Sequence, residues 1–126
     1  MTSNLNFNIL VIDDSTTNVV LLEAILKEKG YTINTALSAK EAYNVLKNAK
    51  PNLILLDLLM PRISGFDFLE KIRRDKETED VPVIVITAVN DDEYSQKALN
   101  LGATEVLQKP VDIPVLIGKV EKYAQT

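Results

Sequence analysis

Short apolar runs alternate along the chain with stretches in which apolar residues recur every three or four positions, and the alternation repeats five times. Runs of strand length followed by helical periodicity predict strand–helix units on a parallel sheet, an α/β architecture of three layers with helices on both faces. The first run, residues 9–12, ends abruptly at Asp13-Asp14. Val19, Leu22, Ile25 and Leu26 then give a helical stripe that stops at Gly30. Residues 31–36 read as a second strand. Ser38 and Glu41 have the spacing of a capping box that opens a helix with Ala42, Val45, Leu46 and Ala49 on its buried side, and Pro51 restarts the chain.

The third run, residues 53–56, is the most continuous apolar segment ahead of an acid, as expected of a central strand that delivers Asp57 to its end. After a turn region at 61–65, Phe66, Leu69 and Ile72 mark a third helix that closes in the charged stretch 73–80. Residues 83–86 form a fourth strand ending at Thr87. Asn90, Asp91, Asp92 and Glu93 place a cap and acids at the start of a fourth helix, favourable to its dipole, and Gly102 ends it. Val106 and Leu107 form a short fifth strand ended by Lys109-Pro110. Asp112 and Pro114 open a fifth helix with a stripe of Ile113, Leu116, Ile117 and Val120.

Composition narrows the chemistry. The 126 residues fit one domain, expected to run the whole length behind a polar tail at 1–7, with no effector domain; the chain is either a single-domain protein or an excised piece. With no Cys there is no thiolate nucleophile or zinc-thiolate cluster, and with no His there is no imidazole base, ligand or phosphohistidine. The 14 Lys and Arg against 18 Asp and Glu give a net charge of −4, which argues against direct nucleic-acid binding. The longest apolar stretches, 53–60 and 81–89, are broken by Asp57, Pro82 and Thr87 and fall short of the ~20 residues that span a bilayer. No targeting peptide is recognisable, so a cytoplasmic protein without membrane contact is expected.

Polar residues gather where ligands bind in an open parallel sheet, beyond the carboxyl ends of the strands. Asp13 and Asp14 follow strand one, Asp57 follows strand three, Thr87 ends strand four and Lys109 ends strand five. Each has a plainer reading: the acidic pair as a helix cap, Thr87 as an ordinary strand residue, Lys109 as a solvated charge. Asp57 between apolar neighbours is harder to place that way, because a buried carboxylate needs compensation. Carboxylates at about 4 Å repel by roughly 4 kcal/mol at an effective dielectric near 20, so a cluster of three demands cations. Lys109 supplies one charge, and a hard divalent ion such as Mg²⁺ suits an all-oxygen site. Phosphoryl transfer to a carboxylate, giving an aspartyl phosphate, is then the natural chemistry.

Asp13-Asp14, Asp57-Leu58-Leu59-Met60-Pro61 with Gly65, Thr87-Ala88, and Gly102-Ala103 before Lys109-Pro110 together resemble the receiver domains of two-component response regulators, over essentially the whole chain. The resemblance implies a flavodoxin-like (βα)5 fold with strand order 2-1-3-4-5. It also implies Asp57 as phosphoacceptor, and Mg²⁺ held by Asp13, Asp14, Asp57 and the main-chain carbonyl of Leu59. Thr87 and Lys109 would contact the phosphoryl oxygens, and the Lys109-Pro110 bond would be cis. The donor would be a sensor histidine kinase or a histidine phosphotransfer protein. Phosphorylation would switch the face made by helix four, strand five and helix five toward an unnamed protein target, with a phosphorylation-dependent homodimer left open. Such a domain is a signalling switch, not an enzyme with an external substrate.

Two positions depart from related patterns. Receiver domains usually carry Tyr or Phe three residues before the lysine, whereas this chain has Val106; Thr87 is expected to move still, with output passing through backbone shifts or Val106 packing, and Tyr94 or Tyr123 could serve as an aromatic contact. Haloacid-dehalogenase phosphatases place an acid two residues after their nucleophile, but Leu59 stands here. With Leu59 and Val89 flanking the site, attack by water is poorly assisted and a persistent aspartyl phosphate is expected. The competing readings are a flavin-binding carrier of the same fold, a hydrolase, and a phosphorylation-independent interaction module.

Overall fold

The computed structural model describes residues 7–57, 65–88 and 92–124. Ten elements alternate: β1 (Asn8–Ile12), α1 (Thr16–Glu28), β2 (Thr32–Ala36), α2 (Ala39–Asn48), β3 (Leu53–Asp57), α3 (Gly65–Arg74), β4 (Val83–Thr87), α4 (Asp92–Asn100), β5 (Glu105–Gln108) and α5 (Ile113–Ala124). All four strand pairings are parallel, in the order β2-β1-β3-β4-β5. The expected (βα)5 order is therefore found.

Alternation along each strand divides the core into two layers. Ile9, Val11, Leu53, Leu55, Ile84 and Ile86 face Val19, Leu22 and Leu26 of α1 with Leu116 and Val120 of α5. Leu10, Ile12, Ile54, Leu56, Val83 and Val85 face Ala39 and Ala42 of α2, Phe68, Leu69 and Ile72 of α3, and Ala98 of α4. The central strands β3 and β4 are buried at every position, which accounts for their unbroken apolar runs, while the edge strand β5 is only half-buried.

Local signals explain the boundaries. Ser15 caps α1 and Ser38 caps α2, each accepting from the N–H three residues on. Glu41 reaches back to the Leu37 N–H at 3.0 Å, one residue earlier than a standard capping box. Gly102 ends the α4 turn at φ +116°, and a Cβ there would stand 2.5 Å from the Arg73 Cγ. The proposed cap residues Asn90 and Asp91 lie outside the described residues, as does the 1–6 part of the tail. No described helix is long and apolar enough to cross a membrane.

Candidate functional site

Strand register alone brings the strand-end residues together. Ile12 pairs with Leu56, so Asp13 and Asp57, one step further along, stand side by side on neighbouring central strands. Asp57 pairs with Ile86, which sets Thr87 one step beyond it. Thr87 in turn pairs with Gln108, and the following Lys109 N–H donates to the Thr87 carbonyl at 2.8 Å. Between β1 and β3 the chain changes the direction in which it adds strands, which is where open α/β sheets form their binding crevice.

Asp13, Asp14 and Asp57 each present an oxygen within 4.8 Å of the other two. Asp13 and Asp57 are buried, whereas Asp14 is exposed. The Lys109 Nζ lies 3.3 Å from Asp57 Oδ2 and 3.7 Å from Asp13 Oδ2. Three carboxylates meeting one ammonium leave an excess of negative charge at a half-enclosed point, and a hard cation with oxygen preference matches that donor set. Thr87 is fully buried beside them. It ends β4, between Asp57 at the end of β3 and Lys109 just after β5. The Lys109-Pro110 peptide bond is cis, as expected.

Asp13 is held from its own side as well. Its Oδ1 accepts from the Ser15 N–H at 2.9 Å and its Oδ2 from the Asn18 side-chain amide at 3.2 Å. A cavity of about 310 Å³ opens next to Asp13, Asn18 and Lys109, walled by Leu21, Pro110 and Ile113. The larger hollow, about 590 Å³, sits over Tyr43, Asp67 and Lys71 between α2 and α3, away from the strand ends and their chemistry.

The structure thus brings together Asp13, Asp14, Asp57, Thr87 and Lys109, while Leu59 lies outside the described residues. Sequence reasoning missed Asn18. The signal was present as an acceptor at 13, a cap at 15 and an amide at 18, a spacing that folds the helix N-terminus back onto the acid. Tyr94, on α4, is half-buried against Phe66 of α3, with ring centroids 4.8 Å apart. Burial and, secondarily, the Asp57 charge push its phenol above the ordinary value, which places α4 within electrostatic reach of the site.

The profile of the response regulator receiver domain matches residues 9–121. The chain belongs to this family. It is 36% identical over 117 residues to the response regulator PleD of Caulobacter vibrioides, covering 93% of this chain and 26% of that protein. It is 36% identical over 116 residues to an uncharacterized 14.6 kDa protein of Leptolyngbya boryana, covering 92% of this chain and 88% of that protein. Among solved structures, a two-component response regulator from Clostridium difficile superposes with a TM-score of 0.88 at 31% identity, covering 94% of this chain and 95% of that one. The chemotaxis response regulator CheY4 of Vibrio cholerae gives 0.86 at 27% identity over 92% and 97%.

This receiver domain spans about a quarter, 26%, of the length of several curated relatives and 15% of the sensor protein ArcB of Escherichia coli. Receiver domains are signalling modules that take phosphoryl groups from histidine kinases and bind Mg²⁺ at an acidic pocket. In this chain three carboxylates, Asp13, Asp14 and Asp57, cluster at the strand ends.

Proposed function

We propose that Asp57 is the phosphoacceptor of this receiver domain, and that Asp13, Asp14, Asp57 and the Leu59 carbonyl hold Mg²⁺. The observation that carries the reading is the meeting of three carboxylates with the Lys109 ammonium at the switch point of the sheet. In the transfer, a carboxylate oxygen of Asp57 attacks phosphorus while the bond from phosphorus to the donor imidazole nitrogen breaks, and the imidazole, already carrying a proton on its other ring nitrogen, leaves neutral. Mg²⁺, when bound, neutralises the charge that develops on the phosphoryl oxygens. Lys109, 3.3 Å from the acceptor carboxylate, balances the charge that remains, and the Thr87 hydroxyl donates to a phosphoryl oxygen.

Because the 126 residues contain no His, the phosphohistidine donor lies outside them, on a sensor histidine kinase or a histidine phosphotransfer protein. The chain processes no external substrate on this reading; its output is the α4-β5-α5 face. Incubation with Mg²⁺ and a small acyl phosphate, read by intact mass, tests the assignment. Wild type should gain one phosphoryl group and Asp57→Asn none. An unmodified wild type under every donor tried, or a fully modified Asp57→Asn, overturns it.

A further inference from the structure

The geometry points to Asn18 as a positioning residue of the metal site, whose amide holds the Asp13 carboxylate away from Lys109 and available to Mg²⁺. The inference rests on the reading of Asp13 as a metal ligand. Asn18 is the third residue of α1, the position at which a capping box would carry Glu to accept from the cap N–H. Here that N–H, on Ser15, is already taken by Asp13 Oδ1 at 2.9 Å. The useful group at 18 is therefore a donor. The Asn18 backbone N–H serves the Ser15 hydroxyl at 3.3 Å, and its side-chain amide turns over the cap to Asp13 Oδ2 at 3.2 Å.

The consequence concerns competition for one oxygen. Asp13 Oδ2 stands between the Asn18 amide and the Lys109 ammonium, which is 3.7 Å away and closer to Asp57. That spacing is too long for a hydrogen bond, so the Asp13–Lys109 pair is held open. Without the amide, the buried carboxylate closes on the other donor that faces Oδ2 among the described residues, the ammonium. Mg²⁺ must then break a formed ion pair to reach Asp13, and Lys109 is drawn away from Asp57. When Lys109 engages a phosphoryl group instead, Asn18 still satisfies Asp13. Groups that orient metal ligands in this way typically alter metal affinity by about 10–100-fold when removed.

The test is a titration of the full chain with Mg²⁺ alone, followed by amide chemical shifts at residues 13–18, for wild type, Asn18→Ala, Lys109→Ala and the double variant. Asn18→Ala keeps α1, since Ala favours helices and the Ser15 cap accepts from the backbone. It should weaken Mg²⁺ binding about tenfold with the urea midpoint of the metal-free protein unchanged. In the Lys109→Ala background the same substitution should have little effect. Asn18→Ala with wild-type affinity, or an equal loss with and without Lys109, overturns the inference alone. A wild type that takes up no Mg²⁺ overturns the reading of the site itself, and this inference with it.

Discussion

Replacing Glu105 with Gln would remove a charge clamp that fastens α5 to β5, and its cost can be worked from the contacts. The Glu105 carboxylate accepts from Lys119 Nζ at 2.6 Å, from Lys122 Nζ at 3.4 Å and from the Tyr123 hydroxyl. Burial pulls its pKa upward, but Lys119, Tyr123 and Lys122 together outweigh that and hold it at about 2, against an ordinary 4.5. A shift of that size corresponds to roughly 3 kcal/mol. Lys122 is 65% exposed and Lys119 32%, so screening reduces the realised contribution to about 1–2 kcal/mol.

The pH dependence fixes the mechanism. A carboxyl depressed in the folded state contributes fully above its unfolded value of 4.5 and loses the contribution as pH falls toward 2. The phenol of Tyr123 is raised to about 12 by burial and by the Glu105 hydrogen bond and charge. It contributes below about pH 10 and loses its share as pH rises toward 12, from the same hydrogen bond counted once. Urea unfolding of wild type and Glu105→Gln at neutral pH, about pH 4.5 and about pH 3 should give a stability gap that shrinks on acidification. A gap independent of pH, or one that widens in acid, refutes the clamp.

Arg73 donates to four main-chain carbonyls, Gly102, Val81, Glu79 and Thr78, at 2.7–3.3 Å, so Arg73→Ala should cost about 2–4 kcal/mol in urea unfolding. Gly102→Ala should destabilise by about 1–3 kcal/mol in the same assay, because it combines positive φ with a collision against Arg73. Lys109→Ala removes the ammonium beside Asp57 and Asp13; its thermal midpoint without metal should fall, and Mg²⁺ should raise it by more than it raises wild type. The aspartyl phosphate should persist in a chase with Mg²⁺ present, since Leu59 supplies no acid or base, and decay within seconds would refute this. Backbone NMR of the Mg²⁺-bound and phosphoryl-analogue states should show shifts on the α4-β5-α5 face despite Val106; no change there sinks that output route.

The fold was readable because period-2 and period-3.6 patterns report burial, and burial in a three-layer domain is nearly all that defines the elements. Every expected strand is present. Asp57 is the last residue of β3 itself, and β5 runs from Glu105, one residue earlier than its apolar pair suggested. The site was readable because its side chains occupy strand ends, where local pattern and position coincide. What escaped is held by contacts without a local signature. Arg73 read only as the start of a charged stretch, yet its partners are carbonyls at 78, 79, 81 and 102, which no side-chain pattern marks. Phe68, fully buried in α3, and the Glu105 clamp likewise depend on which faces meet across the fold.

Val106 shows how the two levels combine. The residue is half-buried in the α2-α3-α4 layer, together with Phe66 and Tyr94. The aromatic mass that receiver domains usually place on β5 is therefore present here on α3 and α4, where the Phe66 and Tyr94 rings meet at 57° and Lys97 lies 4.5 Å from the Phe66 centroid. Tyr94 is on the helix that follows Thr87 in the chain, and Phe66 on the helix that follows Asp57. Phe66 and Tyr94 thus stand on the two helices that follow the strands ending in Asp57 and Thr87, and they pack against the same core layer as Val106 of β5.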